Sequence, residues 1–315
     1  MVLEIQRSSA NLKSDDFIEA INKAIAVTEL QRRQRRILGG KLDAGMLQLR
    51  VPEKLVLIGD IHGDLRTLFE ILDLIKFGEF LTNPNNKIVF LGDYVDRGRD
   101  SIGVLFTICY LKQKYPDSIV LMRGNHEAPI EFPFSSHDLP YRLLQHYGEH
   151  VGKMIYQKKI LKFFSLLTLA TVVENRLLLI HGGLPTRDIQ LTTDFRKLIA
   201  TAEDTHIHNS VMEEILWNDP LISASGNKDW DYSKRGFGRL FGPNVSKKWL
   251  IMSETRVVVR GHQPCQGFKI DHDGMVMTLF SCKEPYPKFR AGHLVISAPQ
   301  LLSMRTGMEL SRYVS

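Results

Sequence analysis

Five short apolar runs in this chain each end at a glycine flanked by residue types that bind metals or phosphates. Leu55–Ile58 runs into Gly59-Asp60-Ile61-His62-Gly63, and Ile88–Leu91 into Gly92-Asp93-Tyr94-Val95-Asp96-Arg97-Gly98. Ile119–Met122 precedes Arg123-Gly124-Asn125-His126-Glu127, Leu177–Ile180 precedes His181-Gly182-Gly183, and Val257–Val259 precedes Arg260-Gly261-His262. Asp60 and His62 are two residues apart at an extended exit and point the same way, so carboxylate and imidazole can share one ion. Asp93 offers two oxygens that could bridge two ions, and Asn125, His181 and His262 stand at three further exits. A donor set of oxygen and nitrogen without thiolate suits Mn, Fe or Zn in a reactive centre better than a structural zinc site. Two divalent ions about 3.5–4 Å apart form the usual clamp for phosphoryl hydrolysis. A lone Asp-x-His carries little weight, and an isolated histidine is ordinarily a core or surface residue. Five recurrences in order are a different matter.

Something must hold these residues together. Helical patterns, Leu65–Ile75 and Ser101–Lys114, lie between the early runs, and the alternation reads as βαβ units whose strands are buried on both faces. Ligands of such sheets collect beyond the carboxyl ends of the strands, so the five exits are expected on one rim. Upstream, residues 15 to 38 are expected to be helical, with Phe17, Ile21, Ile25 and Leu30 as the apolar face and Ser14-Asp15-Asp16 as a capping region. Arg32, Arg33, Arg35 and Arg36 cluster at the far end, read as a solvated helix terminus rather than a nucleic-acid arm because no aromatics interleave them. His293 to Ser297 is the last strand-like segment.

The chain has 315 residues, 43% hydrophobic and 24% charged, with a formal charge of +6. That apolar fraction supports a packed core and excludes a disordered, collagen-like or coiled-coil chain. The modest positive charge leans toward anionic partners without saying which. Three cysteines, Cys109, Cys265 and Cys282, are too few for a disulfide framework and point to a reducing compartment. Met1-Val2-Leu3-Glu4 lacks the basic start of a secretory leader, and Phe163 to Val173 falls far below the ~20 residues that span a bilayer. A cytoplasmic protein without membrane contact is expected.

The motifs Gly-Asp-Ile-His-Gly, Gly-Asp-Tyr-Val-Asp-Arg-Gly, Arg-Gly-Asn-His-Glu and His-Gly-Gly are followed by Trp217-Asn218-Asp219-Pro220, Arg235-Gly236 and Gly261-His262-Gln263. In this order the set resembles the phosphoprotein phosphatase family of serine/threonine phosphatases, within the calcineurin-like metallophosphoesterases, and the compact layout is most similar to archaeal members. The resemblance covers roughly residues 50 to 290. It implies an α/β fold (also classed α+β), a central β-sandwich of mixed sheets flanked by helices in α/β/β/α layers. The expected division is an N-terminal helical segment (1–50), a catalytic domain (51–300) and a short tail (301–315), with no room for long regulatory tails.

It also implies roles. One metal would be held by Asp60, His62 and Asp93, and the second by Asp93, Asn125, His181 and His262, the ions being Mn or else Fe or Zn. Arg97 and Arg235 would grip the substrate phosphate, with Asn125 beside it, and His126 would be the general acid oriented by Asp96. The implied activity is hydrolysis of phosphoserine and phosphothreonine in proteins by direct in-line attack of a water or hydroxide shared by the two metals. No phosphoenzyme is needed, and the Cys-x5-Arg signature of thiol phosphatases is absent, since Tyr115, Asp271 and Lys288 lie six residues beyond the three cysteines. The alternatives are a diadenosine tetraphosphatase-like nucleotide hydrolase and a noncatalytic phosphate- or nucleic-acid-binding module. Phosphoproteins are the expected partners; regulatory subunits are left open.

Other conspicuous residues are set aside. His206 and His208 are expected in a solvated loop or frayed helix, and His137, His146, His150, His272 and His293 on the surface or in local hydrogen bonds. Arg123 and Arg260 read as structural, Trp217 as core, and Asp219 as a support for the site. Cys265, three residues after His262, could be oxidised or inert. Where regulated relatives carry Ser-Ala-Pro-Asn-Tyr, this chain has Ser281-Cys282-Lys283-Glu284-Pro285-Tyr286. That longer loop leaves open whether Tyr286 reaches the groove.

Overall fold

The computed structural model describes residues 12–187, 194–201, 210–222 and 228–315. His206, His208 and Met1-Val2-Leu3-Glu4 lie outside the described residues.

A helix over Ser14–Gln34 opens the chain, followed by strands β1 (Arg36–Ile37), β2 (Gly40–Asp43), β3 (Met46–Leu49) and β4 (Lys54–Ile58). Helix Leu65–Leu74, β5 (Lys87–Phe90), helix Ser101–Lys114 and β6 (Ile119–Leu121) complete a βαβαβ unit with parallel strands. After a helical stretch come β7 (Ala170–Val173), β8 (Leu177–Ile180), β9 (Asp219–Pro220), β10 (Trp230–Tyr232) and β11 (Arg239–Phe241). The chain then forms β12 (Val257–Arg260), β13 (Phe268–Asp271), β14 (Val276–Leu279) and β15 (His293–Ser297). One sheet has the order β15-β4-β5-β6, a second β1-β2-β3-β7-β8-β12-β14-β13, and a small third β10-β11-β9.

The layering follows from strand alternation. Leu55, Leu57, Val89, Leu91 and Val120 of the first sheet meet Val173, Leu177, Leu179, Val257, Val259 and Met277 of the second in one buried layer. Their sequence neighbours Val56, Ile58, Ile88, Phe90, Ile119 and Leu121 point outward under helices Ser14–Gln34, Leu65–Leu74 and Ser101–Lys114. On the opposite face Ala170, Val172, Leu178, Ile180, Val258 and Val276 are covered by helices Ser210–Trp217 and Pro243–Met252. Burial on both faces explains why these strands read as unbroken β-branched and leucine runs. The expected α/β/β/α sandwich is the one observed.

Several expectations are corrected. The N-terminal helix ends at Gln34 rather than 38, because Arg35 turns left-handed (φ 53°) and the chain enters β1, so residues 36–49 are strands of the larger sheet rather than helix. Its N-cap is Lys13, without a side-chain cap; Asp15 and Asp16 serve only as first-turn charge, and Leu30 is 46% exposed rather than part of the apolar face. Arg32 Nε donates to the Leu166 carbonyl at 2.9 Å, a partly buried contact within the fold, while Arg35 pairs with Asp43 on the surface. Residues 301–315 are integral as well. Leu301, Met304 and Leu310 enter the layer between the sheets, and Ser315 and His293 exchange backbone hydrogen bonds.

Candidate active site

The carboxyl ends of β4, β5 and β6 meet those of β8 and β12 at the rim where the two large sheets converge, with isolated bridges between Asp60 and Phe280 and between Met122 and Thr168. Convergence demands small residues. A Cβ at Gly92 (φ +107°) would lie 2.5 Å from Gly124 N, and one at Gly261 would lie 2.3 Å from Asp60 Oδ1. Leaving the strands, His62, Asp93, Asp96, Arg97 and His262 all have φ between 45° and 70°. Side-chained residues in that region cost energy and concentrate where side chains must be aimed.

All six expected metal ligands, Asp60, His62, Asp93, Asn125, His181 and His262, are buried and converge. His62 Nε2 lies 3.6 Å from Asp60 Oδ2 and 3.5 Å from Asp93 Oδ2, while His181 Nε2 lies 3.3 Å from Asp93 Oδ1. The Asn125 amide sits 3.0 Å from His181 Nε2 and 2.8 Å from His262 Nδ1. Asp60 Oδ2, His62 Nε2 and His262 Nε2 are buried with no hydrogen-bond partner among the described residues, and such orphaned atoms fit a bound cation. The donor chemistry agrees. Although burial opposes it, His181 and His126 hold Asp93 well below the ordinary carboxylate range, and burial together with Arg235 pushes His262 well below the usual imidazole value. A divalent ion takes an ionised carboxylate and a neutral imidazole, which Asp93 and His262 supply; His181, raised by Asp93 against the effect of burial, would release a proton on binding. His126 also lies near His62 and Asp93, but its Nδ1 is committed to Asp96, which leaves Asp60 the better ligand.

His126 and Asp96 form the expected pair, with Nδ1 2.6 Å from Asp96 Oδ2. Against the effect of burial, hydrogen bonds from His126 and from His137 keep Asp96 ionised far below the usual carboxylate range. Arg97 donates to Tyr286 Oη at 2.5 Å and approaches His126 Nε2 at 3.0 Å, so the question left by the longer loop is answered: Tyr286 does reach the groove. The loop is fixed by Asp64 Oδ2, which accepts the N–H groups of Lys283 and Glu284, and by Glu284 pairing with Arg99. Arg235, 29% exposed at the side chain, is anchored by Nε to Asp219 Oδ2 at 2.6 Å. The other Asp219 oxygen accepts from Arg260, fully buried and also bonded to the Gly182 carbonyl. Asp219 thus supports the site, Arg260 and Arg123 (2.9 Å from Glu131) are structural, and Trp217 is buried.

Sequence reasoning missed several residues. His137, expected on the surface or in local hydrogen bonds, bonds instead to Asp96, 41 positions away. Glu127 takes the N–H groups of Asp93, Tyr94 and Gly124, tying two strand exits together; it stood inside a recognised motif, but nothing local revealed its partners. Phe134 packs edge-on to both His126 and Trp217, with ring centroids 4.6 and 5.9 Å away. His272 is buried, bonded to Ser246 and the Leu221 carbonyl away from the site, and His146 reaches the Leu12 carbonyl at 3.4 Å.

Comparison with known proteins agrees with this geometry. The profile of the calcineurin-like phosphoesterase family matches residues 53–266. Serine/threonine-protein phosphatase T of Schizosaccharomyces pombe is 34% identical over 234 residues, covering 73% of this chain but only 46% of its own length. The serine/threonine-protein phosphatase 6 catalytic subunit of Caenorhabditis elegans is 32% identical over 254 residues, covering 80% of this chain and 70% of its own. Among solved structures, a protein serine/threonine phosphatase from Saccharomyces cerevisiae with similarity to human phosphatase PP5 superposes with a TM-score of 0.67 at 26% identity, covering 91% of this chain and 83% of that one. With motifs, fold and relatives in agreement, the chain belongs to the calcineurin-like phosphoesterases and, within them, to the serine/threonine protein phosphatases.

Proposed function

We propose that this chain removes phosphate from phosphoserine and phosphothreonine in proteins with the help of two divalent cations, Mn or else Fe or Zn. The observation that carries the reading is Asp93, whose Oδ2 faces His62 at 3.5 Å while its Oδ1 faces His181 at 3.3 Å. One carboxylate turned toward two donor groups supports a pair of ions, the first among Asp60, His62 and Asp93, the second among Asp93, Asn125, His181 and His262. When bound, such ions supply positive charge for the phosphoryl oxygens and lower the pKa of an attacking water.

The protein's own groups do the rest. Among the described residues Arg235 spends only Nε on Asp219, leaving its terminal nitrogens for two phosphate oxygens, and Arg97, steadied by Tyr286, supplies a second guanidinium. Asp96 holds His126 Nδ1 and Arg97 lies 3.0 Å from Nε2; with Arg97 turned to the phosphate and the imidazole doubly protonated, Nε2 can protonate the serine or threonine oxygen, a poor leaving group. Phe134 and Trp217 form an apolar wall beside them.

Among the described residues no helix is long and apolar enough to cross a membrane. Three free cysteines, two of them buried, fit a reducing cytoplasm. Turnover of a phosphothreonine peptide compared with a dinucleotide polyphosphate tests the proposal. Fast peptide hydrolysis is expected; cleavage confined to the dinucleotide would replace it with the nucleotide-hydrolase reading, and a metal-loaded chain that hydrolyses neither would leave only a binding module.

A further inference from the structure

Asp96 is completely buried and is gripped from two sides. Its Oδ2 accepts from His126 Nδ1 at 2.6 Å and from His137 Nδ1 at 2.9 Å; its Oδ1 accepts the N–H groups of Asp138 at 2.9 Å and Leu139 at 3.0 Å. The second nitrogen of His137 lies 2.8 Å from the Tyr156 hydroxyl. Tyr156 opens a single π-helical turn, Tyr156–Ile160, between helices Glu149–Ile155 and Leu161–Ser165. Single π-helical turns of this kind are frequent at functional sites. A line of contacts therefore runs from Tyr156 through His137 and Asp96 to His126.

Protonation along this line is determined by its middle member. An ionised carboxylate only accepts, so both imidazoles must carry a proton on Nδ1. With its Nδ1 proton on Asp96, His137 turns Nε2 to the Tyr156 hydroxyl. His137 bonds to Asp96 and Tyr156 and packs against the Phe134 ring, none of them a candidate metal ligand. Asp96 and its neighbour Arg97 lie at φ 67° and 69°, a backbone region that side-chained residues keep only when surrounding contacts over-determine it.

We propose that His137, oriented by Tyr156, is a positioning residue that fixes the Asp96 carboxylate and through it the tautomer and aim of His126. The inference rests on the phosphatase reading and adds a substrate signature to it. A serine or threonine oxygen must be protonated as it leaves, whereas p-nitrophenolate departs largely unaided. Loosening the general acid therefore penalises the natural class of substrate and largely spares the aryl phosphate. Damage to the fold or to metal binding would slow both alike.

The experiment uses the Mn-loaded full chain and measures kcat and KM on a phosphothreonine peptide and on p-nitrophenyl phosphate for His137→Ala and Tyr156→Phe. His137→Ala should lower kcat on the peptide by about 10-fold or more and on p-nitrophenyl phosphate by at most about 3-fold, with KM changed by less than about 2-fold. Tyr156→Phe should give the same ordering at smaller amplitude. In an Asp96→Asn background His137→Ala should add less than about 2-fold, because residues acting as one unit are not additive. Equal losses on both substrates, unchanged peptide turnover, or full additivity with Asp96→Asn would overturn the proposal. Should His137→Ala lose its cooperative melting transition, Tyr156→Phe, which removes a single oxygen, decides by the same ordering. A wild-type chain inactive on the peptide would instead overturn the phosphatase reading itself.

Discussion

Replacing Asp219 with Asn keeps the side chain's shape and removes the charge that sits between two guanidiniums. Asp219 is only 4% exposed, with Arg235 Nε 2.6 Å from one oxygen and Arg260 Nη2 3.0 Å from the other. Arg260 is fully buried, and its other partners, the carbonyls of Gly182 and Asn218 and the Thr278 hydroxyl, are neutral. Removing one member of a buried ion pair costs about 3–5 kcal/mol. The amide oxygen of Asn can still face one guanidinium, so the lower end, about 3 kcal/mol, is expected. At about 2 °C per kcal/mol for a chain of this length, the melting temperature should fall by about 6 °C. For Arg235, partly exposed, the lost anchor is worth about 1 kcal/mol, equivalent to about 5-fold in KM for a phosphopeptide. Thermal melts and steady-state kinetics on wild type, Asp219→Asn, Arg235→Ala and the double variant separate the two effects. The KM penalty of Asp219→Asn should vanish in the Arg235→Ala background while the melting penalty persists. An unchanged melting temperature would refute the burial argument, and a KM effect that survives without Arg235 would refute the anchoring argument.

The other predictions concern the acid, the metals and a buried lysine. In Asp96→Asn the two backbone donors hold the amide oxygen, so the amide nitrogen must face His126 and His137 and force both to the other tautomer. Peptide kcat should fall by about 10²–10⁴-fold, and a loss below about 10-fold would contradict the assignment. Asp93→Asn should deplete both metals together by elemental analysis, whereas full occupancy would contradict a shared ligand. Lys112, fully buried with Nζ bonded to Gln31 and the carbonyls of Pro116 and Ile119, is pushed down to about 7 by burial. The unfolded chain therefore binds the extra proton between roughly pH 7 and 10, and this residue's contribution to stability rises with pH across that window. Wild type should gain on Lys112→Met in urea midpoint from pH 7 to 9; a constant or shrinking difference would contradict the sign.

What was legible in the sequence was written locally. Leu177–Ile180 is a strand as expected and Ser101–Lys114 a helix as expected, because fully buried strands and a capped helix carry their own signals. The six ligands could be named because each follows a strand end, where topology alone places it on the rim. The basic segment after Gln34 had no apolar period to decide between helix and strand, and pairing with residues 40–49 decided it. His137 lies 41 positions from Asp96 in a loop without a motif, so only the folded chain brings them together. Tyr286 reaches Arg97 because Asp64 and Arg99 pin the intervening loop, a contact between segments about 190 residues apart that no local pattern announces.

The central claim is that two cations shared through Asp93 let this chain hydrolyse phosphothreonine in a protein context. Metal-stripped protein titrated with Mn, with bound metal and phosphothreonine-peptide turnover read on the same samples, tests it most directly. Activity should climb with occupancy and level off at two ions per chain, and Asp93→Asn should abolish both the binding and the turnover. Peptide turnover that is complete without metal, or absent at two ions per chain, would contradict it.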